Sequence, residues 1–490
     1  MIRIPLKINP GELRDISMMP FYSMKQGLKT VVIFLILVVF PLEAFPISLQ
    51  KEEEMGKEFM KVVTAYFEFV DDPMITGYVN KVGRHLVSVL PNKYFDYRFY
   101  VVKDSTFNAF AAPAGHVFVN SGLLEAMDSE QELAGIIGHE IAHVECRHIS
   151  QKIERSSKIN MLTLAGMAAG IFLGIGGADT AAQALTMGSM AAGESLSLAY
   201  SREDESQADQ VGLKYLYQAG YGAEGLVTML RKIRSTEWFG SDVIPTYLKT
   251  HPASEDRIAY IGNYILSHPS PEKNAPTRDD EFDMSVTRLI AEYGDENAAL
   301  NRFNAVLEKE PENPRANYGL GLVHGRSGNR KTAQEYLKTA LKAWPRNPYV
   351  LSDLGRIYFL SGQYADALPV LKDAVREIDD NDQALFYLGR TELELGEYDK
   401  AVEALEKLVQ KKENFYQGHY FLGEAYGRME NLGDAHYHLG IYSMGKRDAK
   451  TAMVHFELAE KKLADPVKLK KIKKMKEEIR LEGRKHPGEE

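Results

Sequence analysis

Two histidines and a glutamate in residues 138–143 have the types and spacing of a zinc site. The segment contains an HExxH motif, in which His139 and His143 are four residues apart. On a helix, residues i and i+4 project from nearly the same face, so the two imidazoles can bind one cation. Glu140 projects about 100° further round the helix, where a carboxylate can take a proton from the water that the metal activates. The motif therefore predicts metal-assisted hydrolysis.

A catalytic zinc ion uses three protein ligands and one open position, so a third ligand is needed. The longer metzincin motif requires glycine at position 146 and histidine at 149, where the chain has Cys146 and Ile149. His148 points about 140° away from His143 on a helix, which favours a place at the surface or behind the ligands. Cys146 is the only cysteine, so no intrachain disulfide can form. A buried small side chain is favoured there over a fourth ligand.

Acidic residues further along the chain can complete the site. Glu205 and Asp209 are four residues apart, and Ala208 beside them allows this helix to approach the motif helix closely. We assign Glu205 to the zinc ion, and Asp209 to the second N–H of a zinc-binding histidine, whose ring it would orient. Glu203 is expected to be solvated. The alternative is that these acids only begin a solvated helix, where the helix dipole favours them.

Hydrophobic periodicity predicts the elements that position the motif. Helical patterns cover residues 52–70 and 73–90. Strand-like segments follow at residues 97–103, 108–111 and 116–120. The motif helix comes next, with Asp128 or Ser129 as its N-cap. Strands against a helix that carries such a motif are the arrangement of a thermolysin-like metalloprotease.

Two apolar regions bear on whether the chain is exported or inserted into a membrane. Lys25 and Lys29 precede an apolar run over residues 31–40, and Ala44 follows it. This pattern predicts a signal peptide at residues 1–44 with an extended N-terminus, and the alternative is an uncleaved anchor. Residues 160–178 and 181–193 carry no charge. They are predicted to form buried or lid helices, with a membrane hairpin as the alternative.

The second half of the chain repeats every 34 residues. The repeated positions are Gly321, Gly355, Gly389 and Gly423, with Ala333, Ala367, Ala401 and Ala435 in the same phase. This period and its small residues predict tetratricopeptide repeats, each a pair of closely packed helices. Stacked repeats form a concave surface on which a partner can dock.

Composition and charge limit the functional classes. The 490 residues are 44% hydrophobic, enough for large cores, and the formal net charge of −9 argues against a general nucleic-acid binder. The tail over residues 468–485 holds nine basic and three acidic residues. It is predicted to be a solvated capping helix, and the alternative is that it binds an acidic surface or lipid headgroups.

These patterns define a fold class and domain boundaries. The predicted class is α+β, with a mostly helical zincin-type metalloprotease domain containing a small sheet, followed by an all-α tetratricopeptide solenoid. A polar, Pro-rich break at residues 267–276 separates the two, and few contacts are expected to cross it. The predicted ranges are a signal peptide at 1–44, a zinc metallopeptidase domain at 45–268, a linker at 269–280, the repeats at 281–465, and a basic helix and tail at 466–490.

The motifs resemble those of a known family. HExxH, a long apolar insert and then Glu-x-x-Ala-Asp are similar to the HtpX and CAAX-prenyl-protease-like zinc metallopeptidases, as are residues 108–111, 115–124 and 250–258. With the signal-like N-terminus and the repeats, the chain resembles the beta-barrel assembly-enhancing proteases of the Gram-negative periplasm. This resemblance implies that the zinc ligands are His139, His143 and Glu205, and that the catalytic acid/base is Glu140.

The resemblance also extends to residues after the second helix. His251 would bind the oxyanion of the tetrahedral intermediate or fill the open zinc position in a latent state, whereas a His-Pro pair on its own would more often be a simple turn. Arg257 is implied as a residue behind the ligands. The strand formed by His116, Val117, Phe118, Val119 and Asn120 is expected to pair with an extended substrate by strand addition.

The family resemblance implies a periplasmic zinc metalloendopeptidase in outer-membrane protein quality control. Its substrates would be misfolded or stalled β-barrel proteins, whose assembly it would also assist, and its repeats would contact the barrel assembly machinery. Membrane association would be peripheral at most, and no nucleic acid is expected. The rival hypotheses are a non-enzymatic tetratricopeptide chaperone or adaptor and a membrane-embedded HtpX-like protease.

Overall fold

The computed structural model describes residues 47–155, 199–235, 245–252, 255–268, 280–379 and 381–485. The predicted signal peptide, the uncharged stretches between residues 160 and 193, and most of the predicted linker lie outside the described residues. Among the helices in these six ranges, none is long and apolar enough to cross a membrane.

The first part of the chain, up to residue 268, surrounds a small sheet with helices. The strands are β1 (Arg98–Val102), β2 (Ala109–Ala112) and β3 (His116–Asn120). The helices are α1 (Leu49–Tyr66), α2 (Pro73–Ser88), α3 (Ser121–Glu125), α4 (Glu130–Glu145), α5 (His148–Arg155), α6 (Arg202–Gln218), α7 (Glu224–Arg234), α8 (Thr246–Thr250) and α9 (Glu255–Ser267). The predicted elements are therefore present, and α1 ends four residues early because Phe69 bridges to Val102.

The sheet order corrects one expectation from the sequence. β3 is the central strand, since it pairs in parallel with β1 and antiparallel with β2. Both of its edges are therefore already hydrogen-bonded from His116 to Asn120, and the prediction that this strand receives the substrate is wrong. Within the described ranges, β2 is an outer strand, and it lies against α4. Alternation of side chains identifies a strand, but it does not say whether that strand is central.

Helix α4, which carries the HExxH motif, is the most enclosed helix of the first part. Ser129 caps it by accepting a hydrogen bond from the Glu132 amide, and residues 132–144 are all buried. Helix α6 crosses it at two glycines: a Cβ on Gly138 would lie 3.1 Å from Leu216, and one on Gly212 would lie 3.2 Å from the Gly138 oxygen. The two helices that carry the predicted ligands can approach each other because these positions have no side chains.

The second part consists of stacked helix pairs. The helices are α10 (Asp280–Tyr293), α11 (Glu296–Leu307), α12 (Pro314–Arg326), α13 (Arg330–Ala343), α14 (Pro348–Leu360), α15 (Tyr364–Glu377), α16 (Asp382–Glu394), α17 (Tyr398–Lys411), α18 (Tyr416–Arg428), α19 (Leu432–Gly445), α20 (Ala449–Glu460) and α21 (Pro466–Lys485). The repeated small residues lie between the helices of a pair, as expected: a Cβ on Gly355 would lie 2.5 Å from Leu371. The fold class predicted from the sequence is confirmed.

The two parts of the chain share one core, contrary to expectation. Helix α10 is buried on all sides from Phe282 to Ala291 and packs on α2 and α3 of the first part as well as on α12. The Arg288 guanidinium reaches Asp72, the N-cap of α2, with Nε 2.5 Å from Oδ2. The expectation of few contacts across the break is therefore wrong, because a Pro-rich segment marks a turn of the chain without determining what packs beside it.

Candidate metal centre

Four side chains from three places in the chain meet beside α4. His139 and His143 from α4, Glu205 from α6 and His251 after α8 each offer a ligand atom, and these atoms lie within 4.8 Å of one another. All four residues are buried. The structure thus brings together every residue that the sequence assigned to the metal, and it adds His251 to the same group.

The spacing of the ligand atoms suits a tetrahedral metal ion. His139 Nε2 and His143 Nε2 are 3.1 Å apart, and each lies 3.4 Å from a carboxylate oxygen of Glu205. Metal–ligand bonds of about 2.0–2.1 Å in a tetrahedron would place ligand atoms about 3.3 Å apart. The three side chains therefore fit one cation without rearrangement.

The tautomers of the two histidines also favour a cation. His139 Nδ1 lies 3.1 Å from Asp209 Oδ1, and a carboxylate at this distance favours the tautomer with its hydrogen on Nδ1. His148 Nε2 donates to Gln207 Oε1 at 3.1 Å, which leaves His148 Nδ1 to accept from His143 Nδ1 at 2.8 Å. The two Nε2 atoms then face each other at 3.1 Å, so a proton or a metal ion between them is needed to offset the repulsion of their lone pairs.

Electrostatics at the cluster lead to the same conclusion. Burial lowers the pKa of His139, but the carboxylates of Asp209 and Glu205 outweigh burial and raise that pKa to about 9. Burial likewise opposes ionisation of Glu205, yet its contacts with His251, His139 and His143 hold its pKa well below the usual range. The cluster therefore attracts a cation and presents an ionised carboxylate to it.

Glu140 is enclosed at the edge of the cluster. Both of its carboxylate oxygens are buried without a hydrogen-bond partner in the described residues, and Oε1 lies 3.7 Å from His251 Nε2. Burial raises the pKa of Glu140, partly offset by His251 and His139. A buried carboxylate with unsatisfied oxygens is costly to maintain, and such groups are frequent in catalytic sites.

Asp209 and Arg257 form a bidentate ion pair next to the proposed ligands. The Arg257 guanidinium donates from Nε and Nη2 to the two oxygens of Asp209 at 2.7 and 2.8 Å, and its Nη1 contacts Glu205. Arg257 thus holds both the proposed ligand and the carboxylate that orients His139. The sequence indicated the place of Asp209 by its four-residue spacing, whereas only the resemblance pointed to Arg257.

Two tyrosines cover the cluster, and no sequence pattern pointed to either of them. Tyr200 stacks on the His143 ring with centroids 3.8 Å apart, and Tyr247 stacks on His251 at 4.5 Å. His251 is fixed further by Glu205 Oε1, 3.0 Å from its Nδ1. The four cluster residues and Glu140 are at most 1% exposed, so the side chains that could hold a metal ion are shielded from solvent.

Comparison with known proteins assigns family models to both parts. The model of peptidase family M48 matches residues 73–265, which contain the whole cluster. Tetratricopeptide repeat models match residues 294–329, 321–382 and 358–424. The metallopeptidase family and the buried histidine and glutamate side chains together indicate a metal ion.

Curated proteins of Vibrio cholerae and Escherichia coli are among the relatives of this chain. A "Putative beta-barrel assembly-enhancing protease" of Vibrio cholerae is 30% identical over 57% of each chain, and a "Beta-barrel assembly-enhancing protease" of Escherichia coli is 26% identical over 59% of this chain and 58% of that one. "Metalloprotease LoiP" of Escherichia coli is 30% identical over 38% of this chain and 68% of its own length. The chain thus spans just over half the length of the first two relatives.

Proposed function

Because the chain belongs to peptidase family M48, we propose that it is a periplasmic zinc metalloendopeptidase that cleaves misfolded or stalled β-barrel proteins and assists their assembly. The observation that carries this proposal is the buried set of His139, His143 and Glu205, with the unpartnered carboxylate of Glu140 beside it. The names of the relatives supply the substrate class. Export through a signal at residues 1–44 belongs to the same proposal, and N-terminal sequencing of the mature protein tests it.

Glu140 would move the proton during hydrolysis. A zinc ion held by the three ligands would supply Lewis acidity that polarises the scissile carbonyl and acidifies water. Glu140 would take the proton of the attacking water and pass it to the leaving amine. Its oxygens have no hydrogen-bond partners in the described residues, and burial raises its pKa, so the carboxylate holds a proton more readily than an exposed glutamate does. Asp209 and Arg257 would keep the His139 ring and Glu205 in place during the reaction.

His251 has two possible roles, oxyanion binding or occupation of the open metal position in a latent state. Its membership in the four-residue cluster, its contact with Glu205 and the absence of exposure favour the latent role. In this proposal His251 must move away before a substrate carbonyl reaches the metal.

We further propose that the substrate pairs with β2 instead of β3. β2 is an outer strand within the described ranges and lies against α4. The backbone of Ala111, on β2, acts to lower the pKa of the Glu140 carboxylate, which burial raises. An extended peptide added at this edge would pass the catalytic carboxylate. Strand pairing would favour chains with unpaired strands, which agrees with unassembled β-barrel proteins as substrates.

The repeats would dock large substrates and the barrel assembly machinery. The ranges 45–268 and 281–465 remain our proposed domains, but α10 joins them in one core, so a truncation near residue 271 would expose the faces of α2 and α3. Full-length protein is therefore the proper object for every activity test.

The test compares full-length protein with Glu140→Gln and the matched surface variant Glu203→Gln. We expect both variants to bind one metal ion, which elemental analysis measures, and only Glu140→Gln to lose cleavage of casein and of an unfolded β-barrel protein. Cleavage by Glu140→Gln at the normal rate would refute the assignment. Loss of cleavage without loss of barrel assembly in cells would instead support the chaperone or adaptor hypothesis.

A further inference from the structure

An arginine in the repeats lies among aromatic rings, with no counter-ion in the part of the chain that the structure describes. The Arg390 Cζ on α16 lies 4.4 Å from the ring centroids of Phe359 and Phe421, 5.3 Å from Phe386 and 5.7 Å from Tyr387. These rings come from α14, α16 and α18, the first helices of three successive pairs. Arg390 therefore lies on the inner surface that these first helices share.

Within the described ranges, no carboxylate pairs with this guanidinium. Its Nε is buried without a hydrogen-bond partner. Burial lowers the pKa of Arg390, and Glu394 and Glu424 raise it only partly, without an ion-pair contact. A carboxylate ligand should bind strongly to a cation that is unpaired and partly shielded from water. The reason is that a charge-assisted hydrogen bond is stronger in a medium of low dielectric constant.

The preceding repeat supplies a contrast at the same position. Arg356 lies one repeat before Arg390, 34 residues earlier, and its Nη2 lies 3.1 Å from Glu292 Oε1 on α10. Arg356 thus holds the two parts of the chain together, whereas the equivalent arginine is left for another partner. The rings around Arg390 fix its side chain in advance, which reduces the entropy lost on binding.

The four rings around Arg390, from Phe359, Phe386, Tyr387 and Phe421, form an aromatic cage. A cavity next to this cage has room for the rest of a ligand. It has a volume of about 1000 Å³ and lies between the repeats and residues 71–74 of the first part. Phe386 belongs both to the ring cage and to the cavity wall, where Phe415 and Tyr349 also lie. The charged groups of this wall are largely paired with each other, as Arg356 is with Glu292 and Lys411 with Asp382.

We propose that Arg390 and its aromatic cage bind a carboxylate of the substrate polypeptide, with neighbouring apolar residues of that polypeptide in the adjacent cavity. The carboxylate comes from the chain terminus or from an acidic side chain. This site deepens the proposed function by naming the chemistry of docking, and it rests on that function for the identity of the ligand as a substrate.

Binding of short fluorescent peptides to full-length Glu140→Gln protein tests the proposal by anisotropy. This background prevents cleavage, and it makes the binding result independent of hydrolysis. One neutral apolar sequence is used in three forms: with a free terminal carboxylate, with a terminal amide, and with the amide plus one internal glutamate. The form that binds tightly identifies the source of the carboxylate.

Adding Arg390→Ala should weaken binding of the carboxylate peptide by about tenfold or more. Arg390→Lys should be intermediate, because a lysine keeps the charge and loses the planar fork. The control Arg376→Ala removes an exposed arginine from α15 and should leave binding unchanged. If the amide peptide binds as tightly as both carboxylate peptides, or if Arg390→Ala lowers only the melting temperature and binding stays within about twofold, the proposal is overturned. Should Arg390→Ala fail to fold, Arg390→Lys and the three-peptide comparison still decide.

Discussion

Among the described residues, a buried ionic cluster at the junction of the two parts and the buried cluster at the metal centre differ in how many of their polar atoms have hydrogen-bond partners. At the junction of the two parts, Arg288 donates to Asp72, Asp353 and Tyr318, and the Tyr318 hydroxyl donates to Asp353 Oδ2 at 3.0 Å. At the metal centre, Glu140 keeps two oxygens and His251 keeps Nε2 without hydrogen-bond partners in the described residues. The first cluster is complete within the protein, and the second requires something from outside.

The difference separates a structural role from a chemical one. Burial opposes the charge of Arg288, but Asp353 and Asp72 raise its pKa well above the ordinary value, so the charges remain paired. Buried polar groups that lack partners cost stability. Proteins accept that cost chiefly where a ligand or a reaction supplies the missing partner. We therefore expect substitutions in the first cluster to affect folding and those in the second to affect metal binding and activity.

The largest effect should follow Glu205→Ala, with Glu203→Ala as its control. Losing the third ligand should release the metal, and with it several kcal/mol of transition-state stabilisation, or about a thousandfold or more in rate. Metal content and peptide cleavage measure both effects. The metal-free unfolding free energy should change little, because Arg257 keeps both oxygens of Asp209. If Glu203→Ala loses the metal and Glu205→Ala keeps it, the third ligand is Glu203 and the assignment of Glu205 is wrong.

Arg288→Ala should destabilise the fold and leave metal binding unchanged. It leaves two buried carboxylates, Asp72 and Asp353, without their cation, and the free energy of unfolding should fall by about 3–5 kcal/mol. Denaturant unfolding measures the loss, and metal content per folded molecule should stay at the wild-type value. A stable Arg288→Ala protein that has lost its metal would contradict the division between the two clusters.

Removing the metal with a chelator should destabilise the helices of the metal centre and leave those of the Arg288 cluster unchanged. A ligand at about 100 times its Kd stabilises the folded state by about 2.7 kcal/mol. Hydrogen exchange should therefore quicken in α4 and α6 of the metal-free protein and stay constant in α10 and α12. The Glu205→Ala variant should show no response to the chelator. Equal acceleration in all four helices would show that the metal supports the whole molecule.

Glu392 offers a smaller test, because it is a buried carboxylate with one distant partner. It is 3% exposed, and Lys372 Nζ lies 3.8 Å away. Burial raises its pKa to about 7, above the value near 4.5 expected for the unfolded chain. Its contribution to stability is present below the unfolded pKa and is lost as pH rises through about 7.

Glu392→Gln should remove that pH dependence. Between pH 5 and 8 the melting temperature of the wild type should fall by about a few degrees more than that of the variant. Glu394→Gln, an exposed neighbour, serves as the control and should behave as the wild type does. Identical pH profiles for Glu392→Gln and the wild type would show that the carboxylate is better solvated than its burial suggests.

Local spacing was enough to predict the motif helix, the face shared by Glu205 and Asp209, and the helix pairs of the repeats. Each of these depends on the helical period or on a 34-residue period, and both are properties of residues close in sequence. The Ser129 cap followed in the same way. The fold class could therefore be stated before any contact was known.

Only the tertiary structure placed β3 in the middle of the sheet and α10 against both parts of the chain. It also placed His251, for which the family resemblance offered two roles, among the ligand atoms. Strand order and the packing of α10 depend on contacts between residues far apart in sequence, where periodicity carries no information. Arg356 has an acidic partner, whereas Arg390 has none among the described residues, and this difference has the same origin. The two occupy equivalent repeat positions, and the proximity of Glu292 to only one of them is decided by how α10 folds back on the repeats.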